Sequence, residues 1–151
     1  MSSARADSGR RGLRGKVLIV DDQDSMRELL RMILESDYHI AEAGSGAALH
    51  KALEHEQPDV VLLDMHLPDA NGLHLLPTIS ERWPGTQVII LTGAPGDSEA
   101  MAAAREAVSR GVCSLLHKSG EFDFGLVLAN VSGAVDRRCQ AQERATVQPE
   151  P

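Results

Sequence analysis

The chain has 151 residues, 42% of them hydrophobic and 25% charged, with a formal net charge of −7. That is enough for one domain with its own core and too little for two, and the acidic balance argues against non-specific binding to nucleic acid. Two cysteines without paired spacing speak against a disulfide or zinc framework, and no apolar run reaches signal-peptide or membrane length, so a cytoplasmic location is expected.

Residues 1–15 are a basic leader expected to be disordered, in which Arg10, Arg11 and Arg14 read as a solubilising tail rather than a nucleic-acid arm. The run Val17-Leu18-Ile19-Val20 predicts a first strand over 16–20, ended by Asp21-Asp22. Ser25 and Glu28 stand at capping-box spacing, and Met26, Leu29, Leu30, Ile33 and Leu34 recur at helical spacing, predicting a helix over 25–36. A second strand over 38–43 stops at Gly44, and Ser45 is placed to cap a helix through residue 54. The third strand, 59–63, is apolar throughout, as in a strand covered on both faces, and Asp64 closes it.

Residues 65–71 carry loop chemistry, and a helix over 72–82 follows with Pro77 inside it. Pro84-Gly85 turns the chain into a fourth strand, 87–91, closed by Thr92. An alanine-rich helix over 98–109 is ended by Gly111; a fifth strand over 112–117 is closed by Lys118. The last helix, 121–138, carries Phe124, Leu126, Val127, Val131 and Val135, and a polar tail or linker follows over 138–151. Strands alternating with helices give an α/β domain with a parallel sheet; the flavodoxin-like, doubly wound order 2-1-3-4-5 with helices on both faces is the expected solution.

In such a sheet the carboxyl ends of the strands share one crevice. Asp21, Asp22, Asp64, Thr92 and Lys118 would meet there, and three carboxylates, a hydroxyl and an ammonium suit a divalent cation and a phosphoryl group. Taken singly, Asp64 reads as a turn residue, Thr92 as a β-branched strand residue and Lys118 as a solvated strand end. Their coincidence at four strand ends favours a site. His50, His55, His66 and His74 lack ligand spacing and read as solvated.

Asp21-Asp22 after the first strand, Asp64 after the third with Pro68 four residues on and Asn71-Gly72 beyond, Thr92 after the fourth and Lys118 after the fifth form one pattern. With it, residues 16–137 resemble a two-component response-regulator receiver domain of the bacterial chemotaxis type. The resemblance implies a cytoplasmic phosphoacceptor switch of a His-to-Asp phosphorelay, phosphorylated on Asp64. It implies Mg2+ held by Asp22, Asp64 and the His66 backbone carbonyl, with Asp21 acting through water; Mn2+ is an allowed substitute. Lys118 would pair with Asp64 before transfer and with a phosphoryl oxygen afterwards, and Thr92 would hydrogen-bond another phosphoryl oxygen. The implied partners are a sensor histidine kinase or histidine phosphotransfer protein and an unassigned protein target, with no direct nucleic-acid or membrane contact. A phosphorylation-dependent homodimer is within this pattern, and no turnover of an external substrate is expected.

Two positions and one segment depart from the common pattern. Ser119 stands where proline often follows the lysine, and Leu115 stands where an aromatic commonly reports phosphorylation. The 92–111 segment reads as about one helical turn longer than usual. His66 and Ala94 occupy places expected to tune phosphate lifetime. The chain reads either as a stand-alone receiver or as part of a larger regulator or kinase. A competing reading takes Asp22-Gln23-Asp24 as the nucleophile and acid of a small aspartate phosphatase similar to the haloacid-dehalogenase superfamily; it leaves Asp64 unexplained. A receiver-like binding module that is not phosphorylated is the third reading.

Overall fold

The computed structural model describes residues 13–93, 98–111, 113–118 and 123–147, with side chains to residue 142. Strand β1 (Lys16–Val20) leads to helix α1 (Asp24–Leu34), β2 (His39–Ala43), α2 (Gly46–His55), β3 (Val60–Asp64), α3 (Gly72–Arg82), β4 (Gln87–Thr92), α4 (Glu99–Ser109), β5 (Ser114–His117) and α5 (Phe124–Val147). All strand pairs are parallel, in the order β2-β1-β3-β4-β5, as the sequence predicts.

Alternation along each strand divides the core into two layers. Val17, Ile19, Val60, Leu62, Ile89 and Leu91 pack with Leu30 and Leu34 of α1 and Val127, Val131 and Val135 of α5. Leu18, Val20, Val61, Leu63, Val88 and Ile90 pack on the opposite face with α2, α3 and α4 through Leu49, Leu53, Leu76, Ile79 and Ala104. Because both faces are covered, Val60 to Leu63 are fully buried, which is why β3 reads as an unbroken apolar run. The connections from β1 and β3 cross to opposite faces, so the topological switch point lies between these two strands.

Several boundaries differ from the sequence reading. Helix α1 starts at Asp24 with Gln23 as its N-cap and no side-chain cap, so the Ser25–Glu28 capping box does not form. Asp21 intervenes: its carboxylate accepts the Gln23 N–H at 2.9 Å and shapes the helix start from outside the helix. Ser45 and Ser98 do cap, accepting the N–H groups of Ala48 and Met101, each at 3.1 Å. Helix α3 runs through Pro77 because Leu76 and Ile79 are buried around it. Helix α4 has 11 residues, as do α1 and α3. Helix α5 continues beyond residue 138, through Val147. Ser119, Ala94, Val112, Glu121 and the leader through residue 12 lie outside the described residues.

Candidate functional site

Strand β1 ends at Val20, and the Asp21 N–H donates to the Ala43 carbonyl at 3.0 Å, so the chain leaves the sheet alongside β2. Asp21 is wholly buried, whereas Asp22 is exposed. Asp64, the last residue of β3, is 5% exposed, and carboxylate oxygens of Asp21, Asp22 and Asp64 lie within 4.8 Å of one another. Two hydrogen bonds within the loops hold this geometry. Asp21 Oδ1 accepts the Gln23 N–H at 2.9 Å, and Asp64 Oδ1 accepts the His66 N–H at 3.2 Å.

Lys118 follows β5, its N–H donating to the Thr92 carbonyl at 2.7 Å. Its ammonium straddles two acids, donating to Asp21 Oδ2 at 3.2 Å and standing 3.5 Å from Asp64 Oδ1. The nearer partner is therefore Asp21, not Asp64 alone. Thr92, at the end of β4, is fully buried; it follows Leu91, which is in register with Asp64. A cleft of about 420 Å³ opens over these groups, lined by Asp22, Gln23, Asp64, His66, Gly93 and Lys118. Gln23 is a wall residue that the sequence reading overlooked, since nothing local to it signals a site.

Burial holds the Asp64 carboxyl above the ordinary carboxylate value of 3.8; the His66 N–H and the Lys118 charge oppose that rise, while the Asp21 charge adds to it. A divalent cation would relieve the same repulsion. The donor set fits a hard, oxygen-seeking ion. Asp21 accepts hydrogen bonds at both oxygens, from the Gln23 N–H and the Lys118 ammonium, whereas Asp22 is exposed at the cleft.

The acceptor loop is tied down on both sides. Asp69 accepts the N–H groups of Gly46 and Ala47 at 2.8 and 3.1 Å, so this loop residue caps α2 together with Ser45. Those two bonds hold its carboxyl below the ordinary value. Asn71 caps α3 by accepting the Leu73 N–H at 2.8 Å. At Gly72 an added Cβ would meet the Asp64 carbonyl oxygen at 2.6 Å and Met65 Cα at 3.1 Å. The Asn-Gly pair thus lets α3 begin against the backbone of the candidate acceptor.

Asp24 does not join the carboxylates. Its side chain is 91% exposed and paired with Arg27, so no Asp22–Asp24 phosphatase pair is supported. Leu115 is half-buried and packs on the α2-α3-α4 side of the core. No described helix is long and apolar enough to cross a membrane.

A family model described as "Response regulator receiver domain" matches residues 17–124. The DNA-binding transcriptional regulator NtrC of Proteus hauseri is 38% identical over 116 residues, 76% of this chain and 24% of that protein. The protein-glutamate methylesterase/protein-glutamine glutaminase of group 3 operon from Cereibacter sphaeroides is 31% identical over 139 residues, 90% of this chain and 37% of its own. The chain spans less than half the length of these curated relatives. Among solved structures, the signal receiver domain of an HD domain-containing protein from Pseudomonas fluorescens Pf-5 superimposes with a TM-score of 0.75 at 27% identity, covering 85% of this chain and 92% of that one.

Proposed function

The chain belongs to the response-regulator receiver domain family, and from that premise we propose that it is a phosphoacceptor switch in which Asp64 takes a phosphoryl group from a phosphohistidine on a partner kinase or phosphotransfer protein. The observation that carries this reading is the convergence, at one end of the sheet, of a carboxylate triad and an ammonium in a cleft open to solvent.

An Asp64 carboxylate oxygen attacks phosphorus; the P–O bond forms as the bond from phosphorus to the donor imidazole nitrogen breaks, and that electron pair stays on the imidazole. Phosphoryl transfer is catalysed chiefly by positioning and by stabilising charge on the transferred oxygens. Lys118 is placed for this because its ammonium already spans Asp21 and Asp64 and can move onto a phosphoryl oxygen while keeping Asp21. Thr92, at the neighbouring strand end, is the hydroxyl assigned to a second phosphoryl oxygen. Asp22, Asp64 and the His66 carbonyl would hold Mg2+, with Asp21 acting through water, and the ion would supply charge neutralisation and orientation; Mn2+ has the same oxygen preference. The domain turns over no external substrate on this reading. Its output partner and any homodimer formed on phosphorylation lie downstream of the same event.

The test is incubation with acetyl phosphate and Mg2+, followed by intact mass and a phosphate-affinity gel. Wild type and Asp24→Asn should gain one phosphoryl group, and Asp64→Asn none. Label retained in Asp64→Asn would overturn the assignment. Sustained hydrolysis of an aryl phosphate that depends on Asp22 and Asp24 would reinstate the phosphatase reading, and an unlabelled wild type would favour the binding module.

A further inference from the structure

We propose that Arg27 is the positioning residue of the Asp21-Asp22 pair: its guanidinium locks the peptide joining the two acids and thereby sets the affinity of the centre for its divalent cation. The inference rests on the site reading above and deepens it.

A peptide unit is planar, so fixing the direction of its carbonyl fixes the amide on the other side as well. Three consecutive units set the directions of Asp21 and Asp22, and each is held by a different contact. The unit before Asp21 is held by its N–H on the Ala43 carbonyl at 3.0 Å. The unit after Asp22 is held by the Gln23 N–H on Asp21 Oδ1 at 2.9 Å. The unit between them is held by Arg27, whose Nη1 donates to the Asp21 carbonyl oxygen.

The guanidinium is itself fixed. Arg27 Nε donates to Glu42 Oε1 at 3.2 Å, Nη2 donates to the Asp24 carboxylate, and the side chain is only 18% exposed. Gly44 provides the slot, since a Cβ there would stand 3.2 Å from Arg27 Nη1. Three donors aimed at three acceptors use the planar fork of arginine, which lysine cannot reproduce. Arg27 also grips the backbone of the pair, not its ligating oxygens, so it orders the carboxylates without competing for them. Lys118, by contrast, bonds a carboxylate oxygen of the pair, Asp21 Oδ2.

The experiment titrates the 151-residue chain with Mg2+ by calorimetry for wild type, Arg27→Lys, Arg27→Gln, Glu42→Gln and Arg31→Lys. Arg31 is the control, since it shares Glu42 at 3.2 Å in an exposed ion pair. Replacing a group that orients metal ligands typically weakens binding by about tenfold or more, and that loss is expected for both Arg27 variants, with a smaller one for Glu42→Gln. Arg31→Lys should bind as wild type does. Labelling of Asp64 by acetyl phosphate should reach the wild-type extent in Arg27→Lys once Mg2+ is saturating. In the metal-free protein the Asp22 amide resonance of Arg27→Lys should broaden.

Wild-type binding that neither Arg27 variant weakens would overturn the clamp alone, as would an equal loss in Arg31→Lys. Wild-type protein that binds no Mg2+ would overturn the site reading and the clamp with it. If the Arg27 variants do not fold, undiminished binding by Glu42→Gln overturns the proposal.

Discussion

Asp64 combines two demands, burial at a strand end and a negative charge. Below its ordinary value of 3.8 the carboxyl is neutral in the folded and unfolded chains alike. Burial raises the folded value, so as pH climbs from 3.8 toward it the unfolded chain releases its proton first and stability is lost across that window. In EDTA at neutral pH, Asp64→Asn should therefore raise the thermal midpoint. That gain should vanish in scans below the ordinary carboxylate range; a gain that persists there would point to packing instead. His66 offers a second test. Its N–H bonds Asp64 while its exposed side chain lines the cleft, so His66→Asn should leave labelling intact and change the decay of label after acetyl phosphate is removed. An unchanged lifetime would count against a role for the side chain.

At the scale of elements, the loop between β3 and α3 is built to hold an acceptor. Gly72 allows α3 to start where any Cβ would strike the Asp64 carbonyl, and its N–H donates to the Met65 carbonyl at 2.7 Å. Gly72→Ala should cost about 1–3 kcal/mol in urea unfolding through forced backbone shifts, and should slow labelling of Asp64. Ser45→Ala is the contrast. It removes the Ser45 part of the α2 cap while the Asp69 bonds remain, costs about 1 kcal/mol, and should leave the labelling rate unchanged. If both variants slow labelling in proportion to lost stability, the glycine has no special bearing on the site.

For the whole molecule, a cation bound at the carboxylates would link the ends of separate strands. Its carboxylates come from the ends of β1 and β3, and the Lys118 ammonium reaches them from the end of β5. A ligand that binds only the folded form adds about 2.7 kcal/mol at a hundred times its Kd. Mg2+ should raise the midpoint of the cooperative transition accordingly, EDTA should reverse it, and Asp22→Asn should show little response. An equal response in Asp22→Asn would mean that the ion acts elsewhere.

The sequence by itself determined the order of strands and helices, the two-layer core and the strand-end placement of Asp21, Asp22, Asp64, Thr92 and Lys118. These are legible because an apolar run with period two or an unbroken β3 pattern is local, and polar residues at its ends mark where the sheet stops. What only the tertiary structure decided lies between elements. The Ser25–Glu28 box loses to the Asp21–Gln23 contact, Asp24 turns onto Arg27, Lys118 divides itself between two acids, and α5 extends through Val147. The role of Arg27 depends on Gly44 and Glu42, seventeen and fifteen residues away, and that of Asp69 on Gly46, twenty-three residues earlier. No local periodicity encodes such pairings, because the fold brings together partners whose spacing along the chain has no fixed relation to their separation in space.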